Sequence, residues 1–202
     1  MNEISDSGMK LILDSEIGGG QEYYEKFLQH PTWPGGESGC TIAIGYDLGF
    51  TPRARFRNDF RCLDEETKFR LEETIGIRGL RAREKVKEIK DISIPWDMAY
   101  AVFQEQTIPY WLAQTKIAFP GVDKLPKDVI SALVSLVFNR GTAMDGDRRR
   151  EMRDIREAVA DKDLPAIAKH LRRMKRLWAG QGLSGLLTRR EAEAALVEAA
   201  YV

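Results

Sequence analysis

Residues 126–139 constrain the fold more than any other part of the chain. Val129, Ile130, Leu133, Val134, Leu136, Val137 and Phe138 make this its most apolar helical stretch. A helix with so wide an apolar surface must be enclosed by other elements. The segment therefore predicts a central buried helix, ended by Arg140-Gly141. The sequence has 202 residues, ample for a core of that kind.

What surrounds it also reads as helix. Residues 8–17 have a helical apolar pattern that stops at Gly18-Gly19-Gly20, leaving Glu16 in the last turn. Residues 21–39, with Pro31, Pro34, Gly35, Gly36 and Gly39, predict mostly irregular loop. Cys40-Thr41-Ile42-Ala43-Ile44-Gly45-Tyr46 is β-branched, bounded by glycine and predicts a strand. From about residue 64 the pattern is helical. Acids in the first turn open one helix, Pro95 introduces another and Pro109 marks a break or kink. Further helices fit 148–160, 163–177 and 188–201. The expected class is α+β and mostly helical. It is one domain over 1–202, with an N-terminal lobe and small β region over about 1–62 and a helical lobe over about 63–202.

Composition narrows the function classes. Hydrophobic residues at 43% and charged residues at 31% describe an ordinary globular chain. Thirty-one basic residues balance thirty-one acids, which weighs against nucleic acid or an anionic membrane as partner. The balance is uneven, however. Residues 1–50 hold eight acids against Lys10 and Lys26, a net of −6, so residues 51–202 carry +6. Within 164–190 lie seven basic residues and no acid. Such a run reads as a solvated helix face or, more sharply, as a patch that attracts a polyanion. Two cysteines, Cys40 and Cys62, and two histidines, His30 and His170, exclude a four-cysteine zinc site and predict no metal. No apolar run approaches the roughly 20 residues of a membrane span. Acids at Glu3, Asp6 and Asp14 do not suit a Sec signal, so synthesis in the cytoplasm is expected.

The motifs of metallohydrolases, phosphate-binding loops and serine hydrolases are absent, and no cofactor is expected. Cys40 with His170 or His30 is the minimum for a cysteine peptidase, but such a cysteine is more often a small buried hydrophobe. The carboxylates carry more. Glu16, where an apolar helix meets a glycine loop, is placed for partial burial, which would favour a protonated general acid. Taken alone it would be an exposed helix-end acid. Asp47, between Gly45 and Gly49, would by default be a turn aspartate bonding its own backbone. Thr41 would by default be a strand residue chosen for β propensity.

Glu16, followed by Gly39-Cys40-Thr41-Ile42-Ala43-Ile44-Gly45-Tyr46-Asp47-Leu48-Gly49, resembles the catalytic lobe of the phage-type lysozymes, glycoside hydrolase family 24. The likeness is greatest to the branch that includes the lysozyme-like domain of pesticin. Leu133-Val134-Ser135-Leu136-Val137-Phe138-Asn139-Arg140-Gly141 is similar to the family's central helix and its Phe-Asn-x-Gly end. Trp178 and the segment Gly185-Leu186-Leu187-Thr188-Arg189-Arg190-Glu191 resemble its C-terminal part. The three blocks stand in the family's order.

The resemblance implies a lysozyme-like fold and residue roles. Glu16 would be the general acid, Thr41 would hold the attacking water, and Asp47, six positions after the threonine, would be the general base. Glu37 is the alternative base, because in typical members the second carboxylate precedes the threonine. The usual Gly-x-Gly-His is replaced here by Ala43-Ile44-Gly45-Tyr46. Tyr46, Asn139 and Arg140 fall among the substrate-binding positions. In a single straight strand, residues 41 and 47 would lie about 20 Å apart. The chain must therefore turn near Gly45 for both to serve one water.

The activity implied is muramidase cleavage of the β-1,4 bond between N-acetylmuramic acid and N-acetylglucosamine in peptidoglycan. A monomeric phage or prophage endolysin, released to the wall by a holin, fits that activity. A secreted antibacterial effector with an immunity protein is the biological alternative. A lytic transglycosylase and a non-catalytic wall-binding module are the chemical alternatives. The basic remainder predicts steering towards an anionic wall, and hence activity that falls as salt rises.

Overall fold

The computed structural model describes residues 3–201. Its chain forms two compact units. One runs Glu16–Pro109. The other combines residues up to Ser15 with those from Tyr110 onward. Residue 62, the expected lobe boundary, thus falls inside the first unit rather than at its end.

Helix α1 spans Asp6–Ile17 and stops at the glycine triplet, as its pattern predicts. The next segment departs from expectation, because Gly20–Phe27 is a helix, α2. Gly20, at φ 65°, turns the chain, and Tyr24 is then buried from the new helix. The expected strand is a hairpin instead. Strand β1 is Thr41–Ile42 and β2 is Tyr46–Asp47. The turn between them uses positive φ at Ala43 (48°) and Gly45 (66°). Helices α3 (Arg53–Asp59), α4 (Glu65–Glu72), α5 (Leu80–Glu88) and α6 (Trp96–Val102) follow.

Backbone pairing explains why this unit reaches Pro109. Ile94 N donates to Gln29 O, Gly76 N to Leu48 O and Gly79 N to Ser38 O. Tyr24 reinforces these links, donating its hydroxyl to Ile94 O at 2.8 Å while Trp96 packs edge-on against its ring. Local sequence patterns carry no record of such long-range bonds.

Pro109 lies just inside α7 (Ile108–Ala118), directly after a π-helical turn over Phe103–Thr107. Proline removes one donor and crowds the carbonyl four residues earlier. A π turn relieves that crowding without ending the helix.

In the other unit the most apolar stretch is α8, Lys127–Arg140, with every residue from Val129 to Val137 buried. Gly141 ends it at φ 69°, a conformation suited to glycine. Gly8 of α1 lets that helix approach α8 closely, since a Cβ there would lie 2.0 Å from Ser131 Cβ. Ser131 Oγ in turn accepts from Ser5 N at 3.0 Å. Helices α9 (Arg150–Asp161), α10 (Leu164–Arg173) and α11 (Ser184–Glu198) complete the unit. Asp163 caps α10 through Ala166 N, as Asp64 caps α4 through Thr67 N. The molecule is mostly helical, with one tiny sheet among the described residues.

Candidate active site

The hairpin brings Thr41 and Asp47 together. Thr41 pairs with Asp47 and Ile42 with Tyr46 in an antiparallel register. Thr41 exchanges both backbone bonds with Thr32, through Thr41 N to Thr32 O at 2.8 Å and Thr32 N to Thr41 O at 2.9 Å. Its ladder to Asp47 is therefore the narrow, non-hydrogen-bonded kind, in which opposed Cα atoms lie about 4.5 Å apart. Opposed residues present their side chains on the same face. The 20 Å separation of a straight strand is thus removed by the turn at Ala43-Ile44-Gly45.

Asp47 is held in a definite place. Its Oδ1 accepts from Gly49 N at 2.8 Å and Gly39 N at 3.0 Å, and its Oδ2 lies 3.1 Å from Gly39 N. The two glycines are required by this arrangement. A Cβ on Gly39 would sit 2.4 Å from the backbone of Gly49 and 2.5 Å from Asp47 Oδ1. Asp47 is therefore the turn aspartate its neighbours suggest, bonding backbone two residues on. Its carboxylate is also fixed beside Thr41, and Oδ2 keeps lone pairs for a further donor.

Thr41 Oγ1 is buried and has no hydrogen-bond partner. A hydroxyl with no internal partner is suited to a bound water, since leaving it dry is costly. Glu16 belongs to the same compact unit, half-buried in the last turn of α1, with Ile17 beside it fully buried. Glu37 is exposed in a turn of the preceding loop, and Glu22 and Glu25 are exposed on α2.

Tyr46 is only 4% exposed. Its hydroxyl donates to Asp59 Oδ2 at 2.8 Å, its ring packs edge-on against Phe60, and Arg55 lies over it at 5.5 Å. Burial first, then Asp59, pushes its phenol well above the usual range. Tyr46 accordingly ties β2 to α3. Asn139 and Arg140 end α8 in the other unit, Asn139 exposed and Arg140 half-buried.

Beside the hairpin are groups that sequence reasoning did not single out. Arg78, bridged through its backbone to Gly39, lies 4.9 Å over the ring of Phe50, which is 61% exposed. Arg83 lies 6.0 Å from the ring of Trp33, whose Nε1 donates to Ser38 O. An exposed ring such as Phe50, and the half-buried Trp33, each with a cation beside it, suit sugar rings and their polar substituents. Only pairing across the fold reveals them, because Arg78 and Phe50 are distant in sequence.

The cysteine alternative loses its chemistry. Burial pushes the Cys40 thiol up to about 12; a hydrogen bond with Thr74 lowers it and the Asp47 charge raises it further. A thiol so placed is not an activated nucleophile near neutral pH.

The family model described as phage lysozyme matches residues 66–193, more than half of the chain. The match includes Asn139, Arg140, α9, α10 and α11 as far as Glu193, and begins after the hairpin. No curated protein matches the chain.

Proposed function

Because this chain belongs to the phage lysozyme family, we propose that it is a muramidase of the pesticin-like branch. It would cut the β-1,4 bond between N-acetylmuramic acid and N-acetylglucosamine. Peptidoglycan lysis by a glycosidase is the family's chemistry; the residue roles rest on the hairpin. The observation that carries them is the close pairing of Thr41, with its unpartnered buried hydroxyl, and Asp47, with its immobilised carboxylate.

In this mechanism Glu16 donates a proton to the leaving oxygen as an oxocarbenium-like centre develops. Thr41 Oγ1 holds a water and Asp47 Oδ2 accepts its proton as it attacks the opposite face. The Gly39 and Gly49 amides keep the carboxylate from swinging away. Attack from the opposite face inverts the anomeric centre.

The test is clearing of a peptidoglycan suspension. Glu16→Gln and Asp47→Asn are each expected to lower the rate by a factor on the order of 10²–10⁴, typical for loss of a general acid or base. Full activity in Glu16→Gln overturns the mechanism. NMR of the first product should show the inverted anomer.

One observation favours a second reading. The bonds that hold Asp47 also suit a purely structural role, leaving Glu16 as the lone acid of a lytic transglycosylase. Anhydro-sugar ends in the mass spectrum of the products would identify that chemistry, and reducing ends the hydrolase. We further propose an endolysin role, with passage to the wall through a holin pore; a neighbouring immunity gene would point to a secreted effector instead.

A further inference from the structure

Guanidinium nitrogens buried without partners gather where α8 ends and α9 begins. Arg140 Nε and Arg149 Nη1 are buried and make no hydrogen bond. Arg140 donates only from Nη2, to Arg148 O at 2.7 Å. Its guanidinium lies 5.0 Å over the ring of Trp178, and Arg190 lies 5.9 Å from the same ring.

The carboxylates in the neighbourhood are already engaged. Glu151 accepts from Arg176 Nε at 2.5 Å and pairs with Arg150 at 3.4 Å. Asp147 pairs with Arg176 at 3.0 Å, and Glu193 with Arg190 at 2.6 Å. Among the described residues no carboxylate lies within 4 Å of Arg140 or Arg149. Two like charges, half-buried and without a carboxylate in contact, are costly, and the more distant Glu151 offsets only part of this at Arg140. Burial, and then the charges of Arg149, Arg190 and Arg148, bring the Arg140 group down to about 10. An anion at the exposed part of the cluster would relieve the repulsion. Arg148 is exposed and Arg140 and Arg149 are only half-buried, so a ligand can reach the outer nitrogens of the cluster, though not Arg140 Nε or Arg149 Nη1.

The geometry points to an oxyanion site in which Arg140 and Arg149 bind a carboxylate of the peptide that hangs from the glycan. The guanidinium fork matches a carboxylate in two parallel hydrogen bonds. The stacked indole of Trp178 holds Arg140 in position for it. The source of the carboxylate rests on the peptidoglycan reading above; the anion chemistry rests only on the arginines.

Titration calorimetry of the full chain tests this at constant ionic strength. The probes are a free stem-type peptide with two carboxylates, the same peptide amidated, and inorganic phosphate. The acidic peptide should bind the unaltered protein and lose at least about tenfold in affinity on amidation. Arg140→Gln and Arg149→Gln should each cost a similar factor, while Arg149→Lys, which keeps the charge, should retain part of the affinity. Unchanged melting temperatures establish that the glutamine variants are folded; a variant that melts early is replaced by its lysine counterpart. No binding, binding indifferent to amidation or to both glutamine substitutions, or tighter binding of phosphate would each overturn the proposal. Calorimetry needs no turnover, so full activity in Glu16→Gln would overturn the hydrolytic mechanism while leaving this result standing.

Discussion

Gly39, Thr41, Asp47 and Gly49 show what single residues contribute here. The carboxylate is positioned by two backbone amides, and those amides are close enough only because neither carries a Cβ. Gly39→Ala should therefore destabilise the fold by about 1–3 kcal/mol through overpacking against immovable backbone. It should also lower activity beyond the loss of folded protein. Thermal melts and clearing rates on the same sample separate the two; an unchanged melt would show that the loop yields without cost. The glycines and both acids are plain in the sequence. Their alternative readings were plain as well, and local pattern could not choose between a turn aspartate and a catalytic one. The structure shows that Asp47 has the bonding of the first, which is compatible with the second. Tyr46 could not be read locally at all, since its burial depends on Asp59 and Phe60 from the next helix.

At the scale of elements, α8 and α11 are joined by a buried polar clamp. Ser135 Oγ donates to Glu193 Oε1 at 2.6 Å, Arg190 Nη2 donates to the same oxygen at 2.6 Å, and Arg189 Nη2 reaches Ser135 O at 2.9 Å. Glu193 and Arg190 are both wholly buried. Removing one partner of such a pair leaves a charge with no solvent, so Glu193→Ala should cost about 3–5 kcal/mol. Denaturant unfolding followed by circular dichroism checks this, and a loss below about 1 kcal/mol would show that water replaces the carboxylate. Helix α8 itself was legible because its signal is local: an apolar run closed by glycine. Helix α2 was not, because prolines and glycines further along the loop obscured its eight residues. The hairpin looks like one strand in sequence because its two short arms form a single β-branched run, and the turn is visible only in φ.

Across the whole molecule, the basic run of 164–190 is neither a bare solvated face nor an open polyanion patch. Arg172 pairs with Glu191 and Glu198, Lys175 with Glu191, Arg176 with Asp147 and Glu151, and Arg190 with Glu193. Lys169 and Arg173 are exposed, and no ion pair holds either of them among the described residues. Those carboxylates belong to the same stretch, so the pairing damps the local field of the run but leaves residues 51–202 at a net +6. Steering onto a wall should be modest and spread over that stretch rather than focused on the run. Clearing rates are expected to fall by no more than about threefold between 0.05 and 0.2 M salt, where the Debye length shrinks to below about 10 Å. A much steeper fall in a salt series would mean that the pairs open in solution. Periodicity and residue type over short spans are enough for the mostly helical class, the buried central helix, the glycine-bounded β segment and the choice of candidate residues. Only the folded chain sets Thr41 opposite Asp47, makes Tyr46 a brace, and pairs most of the basic run with carboxylates while leaving Arg140 and Arg149 without one in contact. Those outcomes depend on which distant groups come within a few ångströms of one another, and spacing along a chain carries no such distances.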